Sequence, residues 1–139
     1  MAAIFTALFP NHADTAGVVV RVSVAYLAEQ SSPEAERWFW SYHIRIENHR
    51  EHAVQLLARH WVITDRNGRV YDVRGEGVVG DTPRIEPGAS FDYVSGCPLE
   101  TPSGAMTGEF HMVDDKGSTF DVAIPAFSLD APARRTPGT

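Results

Sequence analysis

The stretch Arg74-Gly75-Glu76-Gly77-Val78-Val79-Gly80 sets glycines in the spacing G-x-G-x-x-G. In a dinucleotide-binding fold such glycines let backbone N–H groups approach a pyrophosphate at a helix N-terminus. Here Asp81, Thr82 and Pro83 follow, with no helical pattern behind them, and that context excludes the dinucleotide fingerprint. Two readings remain. Consecutive loop amides could form an anion-binding nest, with Arg59, Arg74 or Arg84 supplying charge. Alternatively, the glycines provide unusual backbone angles at a corner between sheets.

Other residue types give weaker signals. His49 and His52 flank Glu51 in a polar turn, and two imidazoles with a carboxylate can ligate a transition metal. A specific site needs further ligands at a telling spacing. None is evident, so these two histidines are weak metal candidates in a solvated turn. His43 and His60 fall inside strand patterns and read as hydrogen-bonded structural residues. Cys97 is the one cysteine. A nucleophile would need a base and an oxyanion site beside it, and a small buried hydrophobe is the simpler reading. Trp38, Trp40 and Trp61 could stack on bases or sugars, but on alternating strands they read as core, with a minority available for a protein-binding face. Asp114-Asp115 sits where a hairpin turn uses aspartate. No catalytic constellation emerges, so the expectation is a protein that is not an enzyme and carries no cofactor.

These residues must be positioned by strands. Val18, Val20, Val22, Val24 and Tyr26 share one face of a period-two run. Trp38, Trp40, Tyr42, Ile44 and Ile46 do the same, in the clearest strand of the chain. Val54 to Thr64 is a long strand, apolar on both faces, which ends at Asp65-Arg66-Asn67-Gly68. Asn-Gly between apolar runs is a strong hairpin signal, and Val70 to Val73 returns from it. Residues 74–89 read as a long loop. Phe91–Ser95, Gly108–Val113 and Thr119–Ile124 follow as strands, the last two joined by Asp114-Asp115-Lys116-Gly117. About seven or more short strands with turn signals between them predict an all-β, two-sheet sandwich. The predicted organisation is an N-terminal arm over 1–15 that is loose or forms an extra edge segment, the sandwich over 16–130, and a flexible tail over 131–139.

Bulk properties narrow the partners. The 139 residues make one domain, with 43% apolar and 22% charged content. The formal net charge is −6 at pH 7, which disfavours both nucleic acid and anionic membranes. All basic residues but Lys116 are arginine; they are scattered among carboxylates, and codon bias accounts for them more simply than phosphate recognition. The lone cysteine fits a reducing cytoplasm, no stretch has the length of a transmembrane helix, and residues 1–10 lack the regions of a signal peptide. A cytoplasmic location is expected.

Four blocks together resemble the ApaG family: Gln55-Leu56-Leu57-Ala58-Arg59-His60-Trp61-Val62-Ile63-Thr64; Val73-Arg74-Gly75-Glu76-Gly77-Val78-Val79-Gly80 with Pro83 and Pro87-Gly88; Tyr93 through Met106; and Ile124-Pro125-Ala126-Phe127-Ser128-Leu129. The resemblance spans about residues 17–129 and implies an immunoglobulin/fibronectin type III-like sandwich. It also implies a link to cobalt resistance and magnesium efflux in bacteria, protein binding in eukaryotic F-box and polymerase-interacting proteins, and pyrophosphate binding by the glycine loop. The leading expectation is a non-enzymatic interaction module whose surface centres on residues 74–83 and 95–104, with a protein partner of unspecified identity. A sensor of pyrophosphate or nucleotide at the Gly75–Gly80 loop and a divalent-metal binder are the alternatives.

Overall fold

A computed structural model of the chain describes residues 8–132. The start of the expected arm and most of the expected tail lie outside them. Nine strands follow one another: β1 (Asn11–Thr15), β2 (Val18–Tyr26), β3 (Trp38–Asn48), β4 (Val54–Asp65), β5 (Val70–Glu76), β6 (Arg84–Ile85), β7 (Ser90–Leu99), β8 (Ser103–Asp114) and β9 (Thr119–Asp130). One sheet runs β1-β2-β3-β7; the other runs β5-β4-β8-β9, with β6 pairing β4 beyond the end of β5. Each pairing is antiparallel. The two sheets stack as an all-β sandwich of the immunoglobulin/fibronectin type III-like kind, and residues 11–15 of the arm supply its first edge strand.

The alternation read from the sequence builds the core. Val18, Val20, Val22, Trp40, Ile44 and Ile46 are buried from the first sheet, and Leu56, Phe110, Met112, Val122 and Leu129 from the second. The Trp40 indole N–H reaches across to the Asp130 carbonyl at 3.1 Å. On one long side the sandwich is closed: β9 packs beside β1 and β2, and the Ala123 N–H donates to Thr15 Oγ1 at 3.1 Å. On the other long side β7 and β5 are the edges, and no strand bridges them.

Several strands run further than the sequence pattern predicts. β5 extends through Arg74, Gly75 and Glu76, which were expected to lie in the loop, and β9 continues past Pro125 to Asp130. Proline ends a run in a simple reading, but it is tolerated where no ladder N–H is required. Pro125 sits on the edge strand β9 at a bulge: Met106 pairs Phe127 and Gly108 pairs Ile124, so Thr107 alone faces Pro125 and Ala126. The bulge also flips the buried set of β9 from Val122 and Ile124 to Phe127 and Leu129.

A second bulge matters more. Leu56 pairs Met112 and Ala58 pairs His111, which leaves Leu57 as the extra residue of β4. Val54 and Leu56 face the core before it; Trp61 and Asp65 are the buried positions after it. The strand that reads as apolar on both faces is therefore two half-strands of opposite phase, since a one-residue shift exchanges the faces. Arg59, in step with Trp61, points between the sheets.

Candidate functional site

The bulge at Leu57 organises the glycine loop. The Gly77 N–H donates to the Leu57 carbonyl at 2.8 Å, and the Leu56 N–H donates to the Pro83 carbonyl at 3.0 Å. Between these anchors the chain leaves β5, turns and returns as β6. Val78 and Asp81 exchange backbone hydrogen bonds of 2.8 and 2.9 Å across Val79 and Gly80. Both of those residues have positive φ, 45° and 79°, as a two-residue type I′ turn requires. A β-branched residue with positive φ is a genuine outlier, yet Val79 also stands 60% exposed at the tip, whereas Val78 is buried.

The three glycines have separate mechanical duties. Gly75 pairs Arg59, and the Arg59 guanidinium lies flat against it: a Cβ there would come within 2.8 Å of Arg59 Cζ. At Gly77 a Cβ would run into the Asp81 carbonyl, and Gly80 serves the turn. The Gly77, Val78 and Asp81 amides are directed to backbone carbonyls.

The three candidate arginines occupy different surroundings. Arg84 is exposed and holds Glu86 at 2.9 Å and Asp115 at 2.7 Å. Arg74 pairs His60 and shares its outward face, as Glu76 does with Ala58. His60 there is hydrogen-bonded to Asp72 at 2.6 Å. Arg59 is half-buried between the sheets. Its Nη1 donates to the Glu76 and Gly77 carbonyls at 3.0 and 2.8 Å, and among the described residues no carboxylate pairs with it. His49 is hydrogen-bonded to Glu47 at 3.0 Å, and the His52 carbonyl accepts from Asn48 at 2.9 Å. Among the described residues no group of three or more His, Cys, Asp or Glu could hold a metal ion.

Arg59 lines a cleft of about 820 Å3 along the open side. Trp38, Phe39, Ile63, Tyr71, Val73 and Leu99 contribute to its apolar walls. Tyr71 and Val73 pair Ile63 and Trp61 and so belong to the inner face of β5. They remain 36% and 40% exposed, because no strand of the first sheet lies opposite them. A smaller recess of about 300 Å3, lined by Tyr42, Arg59, Trp61, Glu76, Tyr93, Ser95 and the Val78–Gly80 turn, adjoins the cleft. Two side chains in that recess are unusual. The Trp61 indole N–H and the Tyr93 hydroxyl are buried with no hydrogen-bond partner, although buried Trp and Tyr ordinarily find one. Their residues are only 2% and 7% exposed. Burial raises the Tyr93 phenol above its usual range, helped by the neighbouring Tyr42 and opposed by Arg59. Cys97 also faces the cleft, where burial pushes its thiol up to about 11 and keeps it protonated and unreactive at neutral pH.

Sequence reasoning named Arg59 only together with Arg74, Arg84 and the glycine loop, and it did not name Trp61 or Tyr93 as site residues. Trp61 read as core and Tyr93 only as part of the Phe91–Ser95 strand, and both are buried; nothing in a linear pattern reports an unpartnered polar tip. Ser95, in step with Phe91, Tyr93 and Cys97 on the inner face of β7, was a usable signal, being a polar residue inside a buried stripe.

The ApaG domain family matches residues 28–114, and the chain belongs to that family. It is similar to Protein ApaG of Rhodospirillum centenum, at 53% identity over 88% of this chain and 94% of that one. Protein ApaG of Caulobacter vibrioides is 56% identical over 86% of each chain. The crystal structure of an ApaA protein from Bordetella pertussis superposes with a TM-score of 0.81 at 42% identity, over 89% of this chain and 98% of that one. The C-terminal domain of Wzt, with a TM-score of 0.56 at 8% identity over 95% and 86%, shares the fold alone.

Proposed function

We propose that this ApaG-domain protein is a non-enzymatic interaction module that holds a protein partner along the open side of its sandwich. The observation that carries this reading is the inner face of β5, whose Tyr71 and Val73 remain exposed over an apolar cleft of about 820 Å3. Exposed apolar patches of this kind mark interaction sites, and clefts of such volume suit ligands or peptide segments. The contact surface extends onto the Val78–Gly80 turn, whose Val79 stands outward. The protonated Cys97 thiol supports a binding role over a nucleophilic one. In this reading, work in the cytoplasm and the cobalt resistance and magnesium efflux implied by the family resemblance are effects of the bound partner.

Photo-crosslinking in cells tests it. A benzophenone side chain placed at Tyr71 should give a discrete adduct that excess unmodified protein competes away. The same group at Ser128, exposed on β9, should give none. Equal labelling at both positions, or none at either, overturns the proposal.

A further inference from the structure

We propose that the recess around Arg59 binds an anionic oxygen group, a carboxylate or a phosphate, presented on an apolar body that fills the adjoining cleft. The inference rests on the reading of that cleft as the binding face and names the chemistry that anchors its occupant.

Three residues with donor groups, Arg59, Trp61 and Tyr93, line the recess together with Glu76, whose backbone carbonyl Arg59 holds. Arg59 is a half-buried cation with no carboxylate partner among the described residues, in a chain whose formal charge is −6. Two hydrogen bonds from its Nη1 to the Glu76 and Gly77 carbonyls fix the guanidinium. Its other N–H groups are left for an acceptor, and a fixed fork is the geometry that suits carboxylate and phosphate. Trp61 and Tyr93 line the same recess, and the Trp61 indole N–H and the Tyr93 hydroxyl, both closed off from solvent, have no hydrogen-bond partner. An indole N–H can only donate, so the atom that satisfies it must be an acceptor. Buried donors left unsatisfied need an explanation, and two beside an unpaired arginine point to an oxygen-rich anion. The body attached to that anion would lie against Trp38, Phe39, Tyr71 and Val73, which accept flat or branched apolar groups, in a cleft that Arg37 and Glu100 also line. The Gly77 and Val78 amides play no part in this site, since they are directed to the Leu57 and Asp81 carbonyls.

Titration followed by amide and indole N–H spectra tests the assignment with paired probes: phenylacetate and phenyl phosphate against neutral benzyl alcohol, and a capped pentapeptide with a central aspartate between valines against its asparagine counterpart. The expected result is that an acidic probe shifts the Trp61 indole N–H saturably and binds at least about tenfold more tightly than its neutral counterpart. One charge-assisted contact typically accounts for a difference of that order. Preference for the peptide assigns the anion to a partner's side chain; preference for phenylacetate or phenyl phosphate assigns it to a free ligand. Arg59→Met should abolish the charge preference, Arg59→Lys should retain part of it, and Arg74→Gln, on the outer face, should leave it unchanged. If acidic and neutral probes bind alike, or Arg59→Met keeps the preference, the anion assignment falls while the cleft reading stands. If no probe shifts any cleft resonance, both fall.

Discussion

Glu47 is 7% exposed and sits among three nitrogen donors: Arg21 Nε at 3.0 Å, Arg45 Nε at 2.8 Å and His49 at 3.0 Å. Burial alone pushes its carboxyl up. The hydrogen bonds from His49, Arg45 and Arg21 outweigh that and hold it down at about 2. A carboxylate with a lowered folded-state pKa stabilises the fold above its ordinary value and loses that contribution as pH falls. The loss here falls between the ordinary 4.5 and about 2. Glu47→Gln should therefore cost about 1–3 kcal/mol at neutral pH, the range for removing a partner from buried charged groups. The difference from the parent protein should shrink as pH falls to about 2. Urea denaturation at both ends of that range checks it; a constant difference would show that packing, not charge, is what Glu47 contributes.

At the scale of the element, the two strong hairpins use one device. In the β4–β5 turn, Asp65 Oδ1 accepts from the Asn67 and Arg69 amides, each at 2.9 Å. In the β8–β9 turn, Asp114 Oδ1 accepts from Lys116 at 2.9 Å and Ser118 at 3.0 Å. The turn glycines, Gly68 and Gly117, have φ of 83° and 81°, while Asn67 does not share the positive φ. The Asn67-Gly68 pair thus marks a hairpin correctly but not the two-residue turn it usually signals; the loop is longer, with glycine alone in the left-handed position. Asp65→Ala and Asp114→Ala should each cost about 1–2 kcal/mol by releasing two amides from an aspartate cap. The aspartates lie at opposite ends of the second sheet, where Asp65 pairs Gly104 and Asp114 pairs Val54, so the double substitution should be additive within about 0.5 kcal/mol. Thermal and denaturant unfolding of the three variants measure this directly, and strong non-additivity would mean the two turns are coupled through the sheet.

For the whole molecule, the asymmetry between a closed and an open long side decides where binding can occur and where the fold is least secure. β8 has a hydrogen-bonded neighbour on each side, whereas β5 has only β4, and every residue of β5 but Gly75 is exposed. Local opening follows exposed hydrogen bonds and sparse apolar contacts. Amides of β5 and of residues 77–82 should exchange faster than those of β8, by at least about a hundredfold if their openings differ by 3 kcal/mol or so. Uniform protection across the second sheet would contradict a locally labile open side. A partner seated in the cleft should slow exchange in β5 selectively.

Period-two patterns, aromatic and β-branched runs and aspartate–glycine turns are local properties. From them the sandwich class, the main strands and both tight hairpins were legible, and Arg59 was one of three arginines, with Arg74 and Arg84, offered as charge beside the glycine loop. What local pattern does not contain is phase across a bulge. Leu57 is an ordinary residue on an apolar run, and only its mismatch against Met112 and His111 on β8 reveals that the strand changes faces there. That mismatch turns Arg59 and Trp61 inward, converts Gly75 from a nucleotide signal into space for a guanidinium, and ties the amide of Gly77 to Leu57. Of the site residues, Arg59 was a candidate from the sequence, whereas Trp61 and Tyr93 were not. Their convergence was decided by tertiary pairing, because the face a strand residue occupies depends on its register with a neighbour more than forty positions away.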